Sequence, residues 1–175
     1  ILAAKGDFEQ RTKAVLEAKD ILQRAVDNAG DNAQAHSNLL MINTTASRME
    51  DREYDLKKAE PDYLAFIEKF DDSPVAYLSL STFYVEQGYK YLGQAIDAVE
   101  KALKLDSENV MYALRAANLY YSRYSIFAGS DQQKVSDLDR SIQIAKSALD
   151  FPDTQEVTGP RRYANKVTRV QFEMF

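Results

Sequence analysis

The pattern of apolar and polar positions between Pro74 and Asn109 predicts two antiparallel helices joined by a short turn. In each helix the apolar and small residues recur three or four positions apart, which places them on one side of an α-helix. They are Tyr77, Leu80, Ser81 and Tyr84 in the first helix, and Ala95, Val99, Ala102 and Leu103 in the second. The small residues among them let the two backbones approach closely. Gly88 stands where the first helix must end, because glycine readily adopts the left-handed conformation of a helix cap.

The same pattern recurs on both sides of this stretch. First-helix positions are His36, Leu39, Leu40 and Asn43 upstream, and Ala113, Ala116, Ala117 and Tyr120 downstream. Second-helix positions are Ala18, Leu22, Ala25 and Val26; Ala59, Tyr63, Phe66 and Ile67; and Ser141, Ala145, Ala148 and Leu149. The second-helix patterns therefore begin at positions 18, 59, 95 and 141, at intervals of 41, 36 and 46 residues. We expect the extra residues to lie in loops or helix extensions, one of them near Gly129.

The last residues carry a helical pattern of their own. Its apolar positions are Tyr163, Val167, Val170 and Met174. Pro160 suits a helix start, so we predict the first helix of a further repeat, or a cap. Basic residues fall at helical spacing in the same segment: Arg161, Arg162, Lys166 and Arg169. We interpret them as a solvated helix face rather than a patch for acidic ligands.

These phased helix pairs resemble the tetratricopeptide-repeat (TPR) family over roughly residues 8–152. The resemblance implies an all-α fold, a right-handed α-α superhelix in which antiparallel helix hairpins stack into a solenoid. It implies one domain over residues 1–175, made of a lone second helix, three repeats and a terminal helix. The boundaries are about 8–29 for the lone helix, about 31–70, 74–107 and 108–152 for the repeats, and about 160–175 for the terminal helix. The missing tryptophan and the intervals above about 34 residues depart from the family, so an irregular helical bundle is the alternative.

The composition argues against most kinds of catalytic and metal-binding site. The chain has no cysteine, which excludes thiolate catalysis and cysteine-ligated zinc. His36 is the single histidine, and we expect it in a helix seam rather than in a catalytic or metal site. The acidic cluster at residues 50–55 lacks the oxygen spacing of a calcium loop, so we interpret it as a charged, solvated helix. We therefore expect no enzymatic activity and no cofactor or metal.

The resemblance also implies a surface for a partner, because the first helices of stacked hairpins line a concave groove that commonly binds peptides or helices. In the family register this groove would be lined by Ser37, Asn38, Met41, Thr44, Leu78, Thr82, Val85, Met111, Leu114, Arg115, Asn118 and Tyr121. Tyr121 falls one position past the core tyrosine of its repeat, where we expect its ring to be exposed. Chaperone-binding members grip a terminal carboxylate with five residues, of which only Arg115 has a counterpart here. A chaperone-tail clamp is therefore disfavoured.

The leading prediction is a non-catalytic scaffold that binds a peptide or helix of a partner protein in this groove. The alternatives are a self-assembly or spacer segment of a larger repeat protein, forming homo-oligomers through exposed repeat ends, and an accessory domain of an enzyme. The net charge of −5 disfavours a nucleic-acid partner. No apolar run approaches the roughly 18 residues of a membrane span, so we expect no membrane insertion. The compartment stays open, with cytoplasm favoured over an extracytoplasmic space.

Overall fold

The computed structural model describes residues 2–51, 53–126 and 129–151, and the secondary structure in this part of the chain is helical, with turns and short loops between the helices. No strand occurs among these residues, so the predicted all-α class is confirmed. The α-helices are α1 (Leu2–Ala29), α2 (Ala33–Glu50), α3 (Glu60–Lys69), α4 (Pro74–Glu86), α5 (Leu92–Leu105), α6 (Val110–Ile126) and α7 (Asp131–Leu149). Short 3₁₀ turns at Leu56–Ala59 and Tyr89–Tyr91 lead into α3 and α5. No helix in the described ranges is both long enough and apolar enough to cross a membrane.

The helices fall where the sequence pattern places them. The lone second helix corresponds to α1, which begins at Leu2 rather than at residue 8. The first-helix patterns lie in α2, α4 and α6, and the second-helix patterns in α3, α5 and α7. The predicted break near Gly129 separates α6 from α7. The predicted helix at residues 160–175 lies outside the described residues.

Local sequence explains several of the helix ends. Asn32 caps α2, because its side-chain oxygen accepts a hydrogen bond from the backbone N–H of Ala35 at 3.0 Å. Ser130 does the same for α7, accepting from the N–H of Gln133 at 3.3 Å. Gly88, just after α4, has φ 103° and ψ 177°, a conformation that is essentially restricted to glycine.

Residues 1–79 and residues 80–175 form two compact units, which we call the N-terminal and C-terminal units. The division falls inside α4, and the prediction of one continuous domain over residues 1–175 stays a prediction. In the N-terminal unit α1 packs against α2. Its apolar cluster consists of Phe66, Phe70 and Ala76, with Ala33, Leu40 and Ile67 packed against them.

In the C-terminal unit α6 packs against both α5 and α7. Small residues permit this close packing: Ala95, Ala102, Ala113 and Ala116 are all 0% exposed. Ser81 of α4 is also 0% exposed, and its hydroxyl donates to the carbonyl of Ala95 in α5 at 2.8 Å. The sequence expectation that small residues bring helices together is therefore met at these positions.

Candidate functional site

The helix α6 has two opposite sides, one buried and one open. Its buried side carries Val110, Tyr112, Ala113, Ala116, Ala117 and Leu119. The other side carries five of the predicted groove residues, at spacings of three and four: Met111, Leu114, Arg115, Asn118 and Tyr121. We call these five residues the α6 face. Because 3.6 residues complete a helical turn, this spacing aligns them along one side over about three turns.

The α6 face combines apolar and hydrogen-bonding groups. Met111 is 45% exposed and Tyr121 is 54% exposed, which confirms the expected exposure of the tyrosine. Asn118 between them is exposed, and Leu114 is half-buried. The ring of Tyr121 lies 5.9 Å from the ring of Tyr124, centroid to centroid, at an interplanar angle of 41°. This contact between aromatic neighbours limits the freedom of the exposed ring.

Arg115 is the charged member of the α6 face. Its guanidinium is half-buried, and burial lowers its pKa below the ordinary arginine value. The Nε atom is buried and finds no hydrogen-bond acceptor in the described part of the chain. Because this nitrogen is buried, it is not accessible to a partner, and leaving it without an acceptor costs stability.

An ion pair fixes α6 to α7 behind this face. Asp137, only 2% exposed, receives hydrogen bonds from Arg123 Nε at 2.8 Å and Arg123 Nη2 at 2.6 Å. The side-chain amide of Gln133 donates a third bond to Asp137 at 2.8 Å. Burial alone would raise the pKa of Asp137, but the hydrogen bonds from Arg123 and Gln133 lower it by more, so its net pKa lies below the ordinary value.

A second carboxylate joins three helices. Glu100 of α5 accepts a hydrogen bond from the hydroxyl of Tyr120 in α6 at 3.0 Å and from Arg140 Nη2 in α7 at 2.9 Å. Burial acts to raise the pKa of Glu100, and the bonds from Arg140 and Tyr120 outweigh it, so the net pKa is lowered. Burial, followed by the bond to Glu100, raises the pKa of Tyr120. Ser141 adds a hydrogen bond from its hydroxyl to the carbonyl of Ala117 at 2.9 Å.

Two predicted groove residues in the N-terminal unit are wrong as surface positions. Ser37 is 4% exposed and Thr44 is 6% exposed, so neither offers a surface to a partner. The hydroxyls of Ser37 and Ser79 lie 2.6 Å apart, and Ser79 also donates to the carbonyl of Val75 at 2.7 Å. Since the Ser79 proton is used there, Ser37 is the donor in the serine pair. Thr44 turns its hydroxyl to the carbonyl of Leu40 at 3.0 Å.

The remaining groove residues are accessible to different degrees. Met41 is 44% exposed on α2. Asn38, one turn before it, is half-buried and accepts a hydrogen bond from the Gln34 side chain at 3.0 Å. On α4, three predicted residues are half-buried: Leu78, Thr82 and Val85. The α6 face is therefore the largest set of predicted residues that the structure places on one surface.

His36 lies in a helix seam, as predicted. Its ring centroid is 4.9 Å from that of Phe70 and 6.3 Å from that of Phe66. Nδ1 lies 3.1 Å from the carbonyl oxygen of Asn32, which can only accept, so Nδ1 carries the proton. Nε2 then accepts from the ammonium of Lys69 at 3.2 Å. Both ring nitrogens have partners, and no group of three or more potential metal ligands occurs among the described residues.

Sequence reasoning missed the two ion pairs of the C-terminal unit, of which the pair of Arg123 with Asp137 contains a buried carboxylate. A signal for one of them was present, because Asp137 shares the helical spacing of half-buried Ser141 and buried Ile144 and Ala148 on α7. An acid on the apolar side of a helix is expected to pair with a buried cation.

Comparison with known proteins found no relative of this sequence: it matches no protein-family model and no curated protein.

Proposed function

We propose that this chain is a non-catalytic protein-binding module of TPR-like architecture. In this proposal the helix pairs stack as antiparallel hairpins into a right-handed superhelix, and a peptide or helix of a partner protein lies along its first helices. The observation that carries the proposal is the α6 face. It is an open helix side with exposed methionine, asparagine and tyrosine, backed by a well-bonded core.

Each member of the α6 face suits contact with a peptide. Met111 offers a flexible apolar surface that adapts to different side chains. Tyr121 supplies a large ring with a polar tip, and such residues are enriched at protein interfaces. Asn118 can both donate to and accept from a peptide backbone. Arg115, which is half-buried among them, adds a positive charge to the face.

Rigid support from the helices behind also favours binding. Tyr120 and Arg123, on the reverse side of α6, are held by Glu100 and Asp137 at 3.0 Å or less. A surface whose backbone is already fixed loses less conformational entropy when a partner binds. The proposal therefore assigns these two carboxylates a supporting role and the exposed residues the contact with the partner.

The test compares a double substitution on the α6 face with a chemically matched control. The test variant is Asn118→Ala with Tyr121→Ala, and the control is Gln94→Ala with Tyr89→Ala. The control removes one exposed amide and one exposed tyrosine (Tyr89 is 65% exposed) from another surface of the same unit. Each immobilised chain is used to capture proteins from its host lysate, with bound proteins quantified by mass spectrometry.

We expect at least one protein to be captured by the unmodified chain and the control and to be lost, by more than about tenfold, with the test variant. Helical circular dichroism should be the same for all three chains. Capture that is equal for the test variant and the control would refute the assignment of the α6 face.

Self-assembly is the second candidate, and exposed apolar residues on α1 favour it. Leu16 and Ile21 are 47% and 51% exposed on a helix of 28 residues. Light scattering over a concentration series separates this candidate from the first. A mass that stays monomeric at the highest concentration removes self-assembly, whereas a rising mass supports it.

A further inference from the structure

The helix α7 has a second apolar side besides the one that packs against α6. Its buried side carries Asp137, Ile144 and Ala148. A neighbouring side carries five apolar residues, spaced by three, four, three and four positions: Val135, Leu138, Ile142, Ala145 and Leu149. We call these five residues the α7 stripe. Their alternating spacing is the one with which two α-helices pack against each other along their length.

Much of the α7 stripe is open to solvent. Val135 is 59% exposed, Ile142 is 43% exposed and Leu149 is 38% exposed. Leu138 and Ala145 are half-buried. From its first residue to its last the stripe extends along about 21 Å of helix. A second apolar surface laid along it would remove this area from water, which favours association.

The exposed apolar residues of α1 form no comparable stripe. Leu16 and Ile21 are five positions apart, which places them about 140° apart around the helix. A helix that packs against one of them leaves the other uncovered. The helix α7 therefore offers a more continuous surface for self-assembly than α1 does.

The α7 stripe can pack against a second copy of itself that runs in the opposite direction. Ile142 is its central residue, with two apolar positions before it and two after it. Around a two-fold axis at Ile142, Leu138 faces Ala145 of the second copy and Val135 faces Leu149 of the second copy. Each of these contacts occurs twice, because both copies contribute the same surface.

The charges beside the stripe match in the same arrangement. Asp139 and Lys146 are both exposed, and their spacing of seven residues places them on the same flank of the stripe. They lie three residues before and four residues after Ile142. In the antiparallel pair Asp139 therefore faces Lys146 of the second copy, and this pair also occurs twice. Such flanking charges influence the direction in which two helices pair, even where each exposed ion pair contributes little stability.

We propose that the α7 stripe pairs with the α7 stripe of a second copy of this chain in an antiparallel, two-fold dimer. The proposal rests on self-assembly, the second candidate function above, and names the surface that carries it. No residue of the α6 face takes part, so the dimer has two such faces, one in each copy. A contact between two helices over about 21 Å is small for a specific interface, so we expect a dissociation constant of about 1–100 µM.

The first test measures the oligomeric state of the full chain by analytical ultracentrifugation from about 1 µM to about 1 mM. We expect the unmodified chain to change from monomer to dimer within this range. Ile142→Asp places two carboxylates together at the two-fold axis and should weaken the dimer by more than about a hundredfold. Ser136→Asp is the control, because it adds the same charge at an exposed position of α7 outside the stripe.

The second test exchanges the flanking charges. Asp139→Lys and Lys146→Asp each place like charges opposite one another twice, so each alone should weaken the dimer about tenfold. An equimolar mixture of these two variants should recover the affinity of the unmodified chain, because the mixed dimer again has opposite charges at both positions. Glu108→Lys and Lys104→Asp are the controls, since they make the same changes of charge at exposed positions outside α7.

The outcomes separate this contact from self-assembly in general. A monomer at every concentration would overturn both. A dimer that Ile142→Asp leaves intact would overturn the α7 contact alone, and self-assembly would then use another surface. Charge variants that weaken the dimer singly but do not recover as a mixture would overturn the antiparallel direction. Circular dichroism of every variant excludes unfolding as the reason for a lost dimer.

Discussion

The N-terminal and C-terminal units use the same kind of helix pairing but hold it together with different chemistry. In the N-terminal unit Phe66 and Phe70 meet at 5.2 Å between ring centroids, and the ring of His36 packs against them. In the C-terminal unit the buried groups include Asp137, paired with Arg123, and α6 and α7 are joined through carboxylates. The pattern of small and apolar residues marks the helices in both units, while the stabilising contacts differ.

The largest expected effect is Phe66→Ala in the N-terminal unit. Phe66 is 5% exposed, and truncating a buried phenylalanine costs about 4 kcal/mol of unfolding free energy through lost burial and the cavity left behind. Hydrogen exchange should show the loss of protection first in α2 and α3. Leu64→Ala on the same helix is the control, because Leu64 is 45% exposed and should cost less than about 1 kcal/mol. Equal losses for the two variants would contradict the role of the aromatic cluster.

Arg123→Met should come next and should act on the C-terminal unit. It leaves the buried carboxylate of Asp137 without its cation, which costs about 3 kcal/mol. Arg24→Met removes the same side chain from an exposed pair with Asp20 and should cost less than about 0.5 kcal/mol. Urea unfolding measures both values. Adding Asp137→Leu to Arg123→Met should restore part of the stability, and a further loss would show that Asp137 is stabilised by other groups.

Acid should weaken the C-terminal unit through Asp137 and Glu100. Both carboxylates have a lowered pKa in the folded protein, so the unfolded chain binds protons more readily. Their stabilisation is complete above the ordinary values, 3.8 for Asp and 4.5 for Glu, and is lost as the pH falls from about there through the lowered pKa. Hydrogen exchange of the α6 and α7 backbone amides at pH 6 and pH 3 measures this loss of stability. The variants Glu100→Gln and Asp137→Asn should lose less stability over this range than the unmodified chain.

The smallest expected effect is Ser37→Ala in the N-terminal unit. It removes one buried hydrogen bond to Ser79, whose hydroxyl keeps its bond to Val75, so the cost should be about 1 kcal/mol. Thr45→Ala is the control on the same helix, since Thr45 is exposed and its hydroxyl bonds only locally to the carbonyl of Met41. Thermal unfolding distinguishes the two. A loss for Ser37→Ala no larger than that of the control would show that the serine pair contributes nothing.

Sequence periodicity was sufficient to predict the helices, because they depend on the spacing of residues within one segment, and the exposure of Tyr121 was expected from the register that the family resemblance implies. The same register was wrong in placing Ser37 and Thr44 on the surface. Periodicity assigns a residue to a side of its helix, but how deep that side lies depends on the neighbouring helix. Ser37 is buried with a residue 42 positions away, and a single sequence contains no direct signal for such a pair. The ion pairs were missed for the same reason, although Asp137 on an apolar side was a visible clue.

Glu100 restricts which substitutions this protein can tolerate over evolutionary time. Its carboxylate serves Tyr120 and Arg140 together, so a change at any one of the three positions removes at least one of these hydrogen bonds, and a change at Glu100 removes both. A neutral route between different residues at these sites must therefore alter them jointly or pass through a destabilised intermediate. Natural variants of this chain should replace positions 100, 120 and 140 as a correlated set, even though 20 residues separate each from the next.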